Sequence, residues 1–338
     1  MKALIYEAPQ KMVLREVDPP KLGLSDVLIK VAASGICGSE LSGFLGQSPL
    51  RKPPLIFGHE FSGTIAEVGP NARRYSVGTR VTANPLISCG QCVHCRSSQE
   101  QRCVNRRLLG AALPGSNATY ISVPESAIVS LPGPTDLDQA ALAEPIAYAL
   151  HVADLATMDG GSVAAVFGMG PIGLFIIQTL KQAGYLEVYV IDTNPDRLAI
   201  AKALGATRTV NPHHQDPIEE LVHEGEGRID LAVDAVGSAV TRQNAVRCVR
   251  RGGTVIFSGL HSAETSLPIN DMVRDEITAR GAFAYTDQQF LRSVELLSAG
   301  TVSLDTSWIA KVPLEDGVHW YQQLLTNPGG IAKVLLVP

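Results

Sequence analysis

A glycine-rich turn between an apolar strand and a helix is the feature that most constrains how this 338-residue chain can fold. Val163–Phe167 is a predicted buried strand, and it is followed by GMGPIG and a helical pattern that runs to about Ala183. The next predicted strand, EVYVID, ends at Asp192, nineteen residues after Gly173. A G-x-G-x-x-G between strand and helix, with an acid about twenty residues further on, is typical of a dinucleotide-binding βαβ unit.

Each position of this turn has a predicted role. Gly168 makes the tight turn, Gly170 lets the backbone approach the pyrophosphate, and Gly173 allows the helix to pack closely on the strand. The helix N-terminus faces the negative charge of the cofactor. Asp192 is predicted to hold the adenosine ribose hydroxyls, which favours NAD over NADP, and Arg197 is the only cation nearby in sequence. The predicted cofactor-binding residues are Gly168, Gly170, Pro171, Ile172, Gly173, Asp192 and Arg197.

The pattern beyond Asp192 continues to alternate between helix and strand. The segments NPDRLAIAKALG and SAVTRQNAVRCVRRGG are predicted helices, and IDLAVDAVG, TVIFSG and EITARGAFAY are predicted strands. Such alternation predicts a parallel sheet with helices on both faces. Cys248 lies in one of the predicted helices, where a core thiol without reactivity is the expected interpretation.

The composition indicates an ordinary globular chain and disfavours several classes of function. The chain is 45% hydrophobic and 18% charged, and no apolar run is long enough to cross a bilayer. Its net charge of −5, without a basic block, argues against nucleic acid as the main partner. The first residues, MKALIYEAPQ, lack the apolar core of a signal peptide, so a cytoplasmic protein without a membrane partner is expected. The length predicts two domains.

Four of the six cysteines lie in one short segment, SCGQCVHCRSSQEQRC. The spacing C-x2-C-x2-C-x7-C can turn four thiolates toward one point, as tetrahedral Zn(II) requires. In a reducing compartment such a cluster is more often a metal site than a pair of disulfides. A zinc with four sulfur ligands has no position for substrate, so this site is expected to be structural and to hold a lobe at about 86–107. The predicted ligands are Cys89, Cys92, Cys95 and Cys103, with His94 and the nearby arginines left in solvent.

A second set of candidate ligands is scattered along the chain. Cys37 lies at the start of a predicted helix, His59 and Glu60 come just before a predicted strand, and Glu144 lies in the apolar segment AALAEPIAYALH. One thiolate, one imidazole and one or two carboxylates form a zinc shell that keeps a position for water or substrate. Each residue also has an ordinary interpretation, as a core cysteine, a surface histidine or a helix N-cap glutamate, so the spacing alone leaves this site open.

Taken together, these segments resemble the zinc-dependent medium-chain dehydrogenases of the alcohol, polyol and threonine dehydrogenase superfamily. The resemblance spans essentially the full chain and rests on GICGSE, GHEFSG, the four-cysteine segment, EPIAYALH, GMGPIG and KVLLVP. It implies an α/β protein with two domains and an active site in the cleft between them. One is a catalytic domain with a GroES-like β-barrel core, built from 1–150 and 286–338. The other is a doubly wound parallel (Rossmann) coenzyme domain at 151–285.

The resemblance also implies the ligands of a catalytic zinc. They are Cys37, His59 and Glu144, with Glu60 beside the metal or exchanging onto it. Simple alcohol dehydrogenases often have a cysteine at the position of Glu144. The glutamate followed by proline is more similar to the sorbitol, sugar-alcohol-phosphate and threonine dehydrogenases.

The proton path implied by the resemblance departs from the family pattern at two positions. Ser39 is expected to accept a hydrogen bond from the alcohol and to pass its proton outward. Glu40 stands where the family has an aspartate. Ser42 stands where many members have a histidine as terminal proton acceptor, which leaves the end of the path open.

The implied activity is hydride transfer from a secondary alcohol, a polyol or sugar derivative, to NAD. A threonine-type amino-alcohol dehydrogenase is the alternative within enzymes, and a zinc-free quinone reductase is disfavoured by Cys37, His59 and the four cysteines. A non-enzymatic NAD(H) sensor with structural zinc sites is the alternative from another class. The expected partners are a small-molecule alcohol and further copies of the chain, with a tetramer favoured over a dimer.

Overall fold

The chain divides into two compact units in the computed structural model, which describes residues 1–156, 163–223, 229–304 and 307–338. The outer unit comprises Met1–Ala147 and Tyr285–Pro338, and the inserted unit is Tyr148–Ala284. Both ends of the chain therefore contribute to one unit, and the second unit interrupts it.

The strands are numbered along the chain. They are β1 (Lys2–Ala8), β2 (Lys11–Glu16), β3 (Asp26–Gly35), β4 (Leu55–Ile56), β5 (Glu60–Val68), β6 (Arg80–Ala83), β7 (Leu86–Ile87), β8 (Arg107–Leu108), β9 (Tyr120–Pro124), β10 (Ile128–Ser130), β11 (Val163–Phe167), β12 (Glu187–Ile191), β13 (Arg208–Val210), β14 (Ile229–Asp234), β15 (Val249–Phe257), β16 (Thr278–Gly281), β17 (Ile309–Pro313) and β18 (Lys333–Val337).

The helices follow the same order. They are α1 (Gly38–Phe44), α2 (Val93–Arg96), α3 (Leu137–Ala140), α4 (Ala143–Leu155), α5 (Pro171–Gln182), α6 (Pro195–Ala203), α7 (Pro217–His223), α8 (Ala239–Cys248), α9 (Ile269–Arg274), α10 (Asp287–Ser298) and α11 (Gly317–Thr326). Among the described residues, every helix is too short or too polar to cross a membrane.

The inserted unit contains a six-stranded parallel sheet in the order β13-β12-β11-β14-β15-β16. This is the strand order of the doubly wound dinucleotide-binding fold, and it confirms the predicted parallel sheet. All five residues of β11 are buried, as expected for a central strand that is covered on both faces. The carboxyl end of β11 leads directly into the glycine-rich turn.

One predicted helix of this unit is too long. The sequence predicts a helix over 238–253, but α8 ends at Cys248 and β15 begins at Val249. The backbone becomes extended at Val249, which pairs with Ile229 of β14. Further on, Arg250 Nε lies 2.5 Å from Asp230 Oδ1, and Gly252 has a φ of +71°. A positive φ cannot continue a right-handed helix, and glycine is the residue that adopts it readily. The predicted strand TVIFSG is accordingly the second half of a longer strand.

The outer unit is built on a seven-stranded sheet. Its order is β10-β6-β5-β3-β18-β17, and β9 also pairs with β3. Buried aliphatic side chains such as Val27, Ile29 and Ile65 fill the core beside β3 and β5. Strand β18 lies between β3 and β17, so a late segment of the chain completes a sheet that begins with an early one. Three candidate ligands of the second set, Cys37, His59 and Glu60, lie at the ends of β3 and β5, and Glu144 lies in α4.

Candidate metal and cofactor sites

Cys37, His59 and Glu60 come together at the point where β3 ends and β5 begins. Their ligand atoms all lie within 4.8 Å of one another. Cys37 is the residue before α1, and Glu60 opens β5 opposite Gly35 of β3. A Cβ atom at Gly35 would lie 2.3 Å from Glu60 Oε2, so the glycine provides the space that the glutamate occupies. Soft and hard ligands of this kind can hold zinc with a position left for substrate.

A buried carboxylate fixes the imidazole of His59. Glu40 Oε1 lies 2.7 Å from His59 Nδ1, and it also accepts a hydrogen bond from the Gly58 N–H at 3.0 Å. The Tyr321 hydroxyl donates to Glu40 Oε2 at 2.6 Å. Burial raises the pKa of Glu40, but the charges of His59 and Arg51 and the hydrogen bonds outweigh burial and lower that pKa. A carboxylate on one ring nitrogen leaves the other nitrogen to face a metal.

Glu60 has a buried cationic partner, Lys333. The Lys333 ammonium donates to Glu60 Oε1 at 2.8 Å, to Glu60 Oε2 at 2.5 Å and to the carbonyl oxygen of Ile36 at 3.0 Å. Both side chains are about 1% exposed. Burial lowers the pKa of Lys333, yet the nearby charges of Glu60 and Cys37 raise it overall. The ammonium is therefore charged, and it engages both oxygens of the carboxylate.

Glu144 lies beside the cluster of three ligands without joining it. It sits in the first turn of α4, and the Tyr285 hydroxyl donates to its Oε1 at 3.0 Å. Burial raises the pKa of Glu144 to about 7, and the charge of Glu60 adds to this, while His59 acts against it. The structure thus groups Glu60 with Cys37 and His59, whereas the resemblance implies Glu144 as the third ligand. Both carboxyls stay candidates for that position.

The hydroxyl of Ser39 lies next to the sulfur of Cys37. Ser39 Oγ donates to Cys37 Sγ at 3.4 Å and accepts a hydrogen bond from Arg51 Nη2 at 3.1 Å. Ser42 lies three residues later on α1 and is exposed. Residues three apart lie on one face of a helix, so the two hydroxyls can belong to one proton path.

The four cysteines of the second candidate metal site also converge. Their sulfur atoms lie within 4.8 Å of one another, with Cys103 buried and the other three half-buried. The Cys89 N–H donates to Cys103 Sγ at 3.3 Å. The backbone N–H of Cys95 lowers the pKa of Cys92 to about 6, whereas burial and Cys92 raise the pKa of Cys95 to about 11. These donors fit a tetrahedral zinc ion. The arginines predicted to lie in solvent, Arg96, Arg102, Arg106 and Arg107, are exposed.

The glycine-rich turn of the inserted unit is shaped for close approach. Gly168 has a φ of +96°, and a Cβ at Gly173 would lie 1.9 Å from the carbonyl oxygen of Gly168. A Cβ at Gly170 would meet no atom within 4 Å, so open space lies in front of the N-terminus of α5. Pro171 and Ile172 are the first residues of that helix. The backbone leaves room for a phosphate group at this end of the helix.

The acid after β12 is held by the backbone of the turn. Asp192 Oδ2 accepts from the Met169 N–H at 2.6 Å, and Oδ1 accepts from the Asn194 N–H at 2.8 Å. Each oxygen keeps a second lone pair for a ribose hydroxyl. Arg197 Nε is buried and has no hydrogen-bond partner within the described part of the chain. These groups fit a dinucleotide.

Four residues that no sequence motif indicated contribute to the first site: Arg51, Tyr285, Tyr321 and Lys333. The sequence does contain a signal for Lys333, because it opens the apolar strand KVLLV. A lysine buried in such a strand needs an anionic partner, so the pattern indicates a buried ion pair. Arg51 has no such signal, since its neighbour Lys52 carries the same charge and is exposed.

Two family models match the chain. The alcohol dehydrogenase GroES-like domain matches residues 23–133, and the zinc-binding dehydrogenase domain matches residues 171–299. The sorbitol dehydrogenase of Bacillus subtilis (strain 168) is 31% identical over 346 residues, covering 100% of this chain and 97% of the relative. An L-threonine 3-dehydrogenase of Bacillus velezensis is 33% identical over 347 residues, covering 100% and 99%.

The fold is shared with solved structures of the same class. A crystal structure of a zinc-binding dehydrogenase from Sinorhizobium meliloti 1021, bound to NADP, matches with a TM-score of 0.91 and 31% identity. The match covers 100% of this chain and 99% of the other. The predicted GroES-like domain and Rossmann-type sheet are confirmed. The chain therefore belongs to the zinc-type medium-chain dehydrogenases.

Proposed function

We propose that this chain oxidises a secondary alcohol, a polyol or a sugar derivative, to the ketone with zinc and NAD. The observation that carries the proposal is the convergence of Cys37, His59 and Glu60, with Glu144 beside them. Such a donor set holds zinc without filling its coordination sphere. The four-cysteine cluster supports a second, structural zinc in each chain.

The zinc, when bound, would lower the pKa of a coordinated alcohol, as it lowers that of water to about 7, and NAD would take up the hydride. Cys37 and His59 would hold the metal, and Glu40, 2.7 Å from His59 Nδ1, would orient the ring. Glu60 or Glu144 supplies the remaining protein ligand, and the Lys333 ammonium on Glu60 supports a role for Glu60 beside the metal. The chain's own contribution is to position the alcohol and to move its proton.

Ser39 is the first acceptor on the proposed proton path. Its hydroxyl lies 3.4 Å from Cys37 Sγ, so an alcohol at the metal can donate to it. Ser42, which lies three residues later on α1 and is exposed, is the proposed outer group on this path. A serine hydroxyl passes a proton on but does not store it near neutral pH, so the proton leaves to water.

We infer a preference for NAD over NADP from Asp192. Its carboxylate would accept hydrogen bonds from the adenosine ribose hydroxyls, and a 2′-phosphate there would meet a like charge. The relative from Sinorhizobium meliloti was solved with NADP. A direct comparison of the two cofactors therefore tests the role of Asp192, and equal catalytic efficiency with both would contradict it.

We also infer that the chain works as a homo-oligomer, with a tetramer favoured over a dimer. Two features of the inserted unit support self-association: the mostly exposed end strand β16, and the exposed apolar side chains Leu260, Val273 and Phe283. Light scattering on the purified protein tests this inference. The cytoplasmic location expected from the sequence stays a prediction that cell fractionation tests.

Two alternatives have discriminating observations. The L-threonine 3-dehydrogenase among the relatives favours an amino-alcohol substrate as the second candidate. A non-enzymatic NAD(H) sensor is the candidate from another class, and any turnover eliminates it.

The test is a substrate panel run with NAD and with NADP. The panel contains polyols, sugar alcohol phosphates and L-threonine, and ketone formation is measured with NADH production. We expect the wild type to oxidise at least one polyol or polyol derivative. We expect Cys37→Ser to oxidise none of them and still to bind NADH. Substantial activity in a metal-free preparation would contradict the zinc mechanism.

A further inference from the structure

A second buried cation lies at the candidate alcohol site. Arg51 is only 6% exposed, and its Nη2 donates to Ser39 Oγ at 3.1 Å. Its Nε donates to the carbonyl oxygen of Gly110 at 3.1 Å. Its guanidinium carbon lies 5.7 Å from the centre of the Phe57 ring. Ser39 in turn contacts the sulfur of Cys37. Two hydrogen bonds therefore separate the guanidinium from a proposed metal ligand.

This guanidinium has donors to spare. An arginine has five N–H groups, and the described residues accept hydrogen bonds from its Nε and Nη2 only. No carboxylate of the described residues lies within ion-pair distance of Arg51. Glu40 acts on it through space, but the oxygens of Glu40 are already engaged by His59, Gly58 and Tyr321. A charged guanidinium that no anion contacts can therefore pair with an anionic ligand.

The neighbouring helix makes room for this side chain. A Cβ at Gly43 of α1 would lie 2.4 Å from Arg51 Cδ. Glycine inside a helix costs about 1 kcal/mol relative to alanine. The helix therefore has a less stable residue at the one position where the stem of Arg51 passes. The arginine is buried and donates to the exposed Ser39, so its side chain is held in place.

We propose that Arg51 binds an anionic group, a carboxylate or a phosphate, on the alcohol substrate. The planar fork of a guanidinium pairs with both kinds of oxygen anion. The substrate is then a hydroxy acid or a sugar alcohol phosphate rather than a neutral polyol. This inference rests on the proposed function, because it takes Ser39 as the residue that meets the alcohol.

Three probes with one carbon skeleton separate the possibilities: sorbitol, gluconate and sorbitol 6-phosphate. Their binding to the zinc-loaded full-length protein is measured by titration calorimetry, and their oxidation is measured with NAD. We expect the wild type to bind at least one of the two anions at least tenfold more tightly than sorbitol. The anion that binds more tightly identifies the anionic group of the substrate as a carboxylate or a phosphate. Equal or weaker binding of both anions relative to sorbitol overturns the inference.

Arg51→Gln should weaken binding of the preferred anion at least tenfold more than it weakens binding of sorbitol. Arg51→Lys keeps the charge, so its affinity for the preferred anion should lie between those of the wild type and Arg51→Gln. Lys52→Gln is the matched control, because it removes the same charge from the exposed neighbour, and it should resemble the wild type. If Arg51→Gln weakens sorbitol and the anions equally, Arg51 is structural and the inference is wrong. If Arg51→Gln does not fold, the inference is still tested by the relative affinities of the wild type for sorbitol and the two anions and by the anion affinity of Arg51→Lys.

The two proposals fail separately. A chain that binds gluconate or sorbitol 6-phosphate through Arg51 and oxidises no alcohol contradicts only the proposed function. A chain that oxidises sorbitol and disfavours both anions contradicts only the role of Arg51.

Discussion

A carboxyl inside a protein needs either a partner or a proton, and the three glutamates at the metal site differ in this respect. Glu60 has the ammonium of Lys333, and Glu40 has His59 together with two hydrogen bonds. Glu144 has a hydroxyl, that of Tyr285, as its hydrogen-bond partner among the described residues. Its pKa of about 7 follows from that difference.

Replacing Glu144 by glutamine should flatten the pH dependence of stability in metal-free protein. The pKa of Glu144 is raised from 4.5 to about 7 in the folded state, so the folded chain holds a proton that the unfolded chain has lost. Wild-type stability should therefore fall as pH rises between these values, by on the order of 3 kcal/mol. Glutamine keeps the oxygen that accepts from Tyr285 and does not titrate. Denaturant unfolding of chelator-treated protein from about pH 5 to about pH 8 measures this, and parallel curves for both proteins would contradict it.

Ser42→His should raise the oxidation rate more at neutral than at alkaline pH. An imidazole, with an ordinary pKa of about 6.5, can accept and hold the proton that a serine can only pass on. The wild type should depend on solvent hydroxide and speed up toward alkaline pH. The measurement is a pH–rate profile with the best substrate of the panel, and Ser42→Ala serves as the control. An unchanged profile in Ser42→His, with zinc and NAD binding intact, would reject the relay.

The sequence predicts well those helices, strands and turns that are determined by residues close together in the chain. The strand, turn and helix around Gly168 depend on neighbouring residues, so the glycine spacing predicted them. Helix α8 ends where Val249 pairs with Ile229 of β14, and a helical pattern does not reveal that contact with another strand. The partner of Glu60 is 273 residues away in sequence, so no local pattern could pair it with Lys333. The ligands themselves were found because the resemblance located each one separately.

The four-cysteine segment should depend on its metal for stability. Cys103→Ser should lower the thermal midpoint by at least about 5 °C, because the lobe has few hydrophobic contacts and loses its bound ion. Zinc content should fall from about two to about one per chain. Cys248→Ser is the matched control, since Cys248 is buried outside the cluster and should leave zinc content unchanged. About one zinc per wild-type chain, with the four cysteines empty, would refute a structural zinc here.

At the scale of the whole molecule, a buried ion pair connects an early and a late segment of the sequence. Glu60 opens β5 and Lys333 opens β18, and both are almost fully buried. Removing one partner of such a pair leaves a charge without a counterion in a medium that solvates it poorly.

Lys333→Met should reduce the free energy of unfolding by about 3–5 kcal/mol. The double variant Lys333→Met with Glu60→Gln should recover most of that loss, because the uncompensated carboxylate is gone. Lys311→Met is the control: Lys311 pairs with Asp138 at an exposed site, and its loss should cost less than about 1 kcal/mol. Urea unfolding measures all three. If the double variant is no more stable than Lys333→Met, the pair is not the source of the loss.

The position of β18 between β3 and β17 has a consequence for how the chain is made. A ribosome releases β3 early, then the whole inserted unit, and only then the strand that pairs with Ser34 and Gly35. The inserted unit can fold as soon as it emerges, since its sheet is continuous in sequence. The sheet of the outer unit must wait with an open edge, and open strand edges aggregate. Nascent chains of this protein are therefore expected to need chaperone protection until translation is nearly complete.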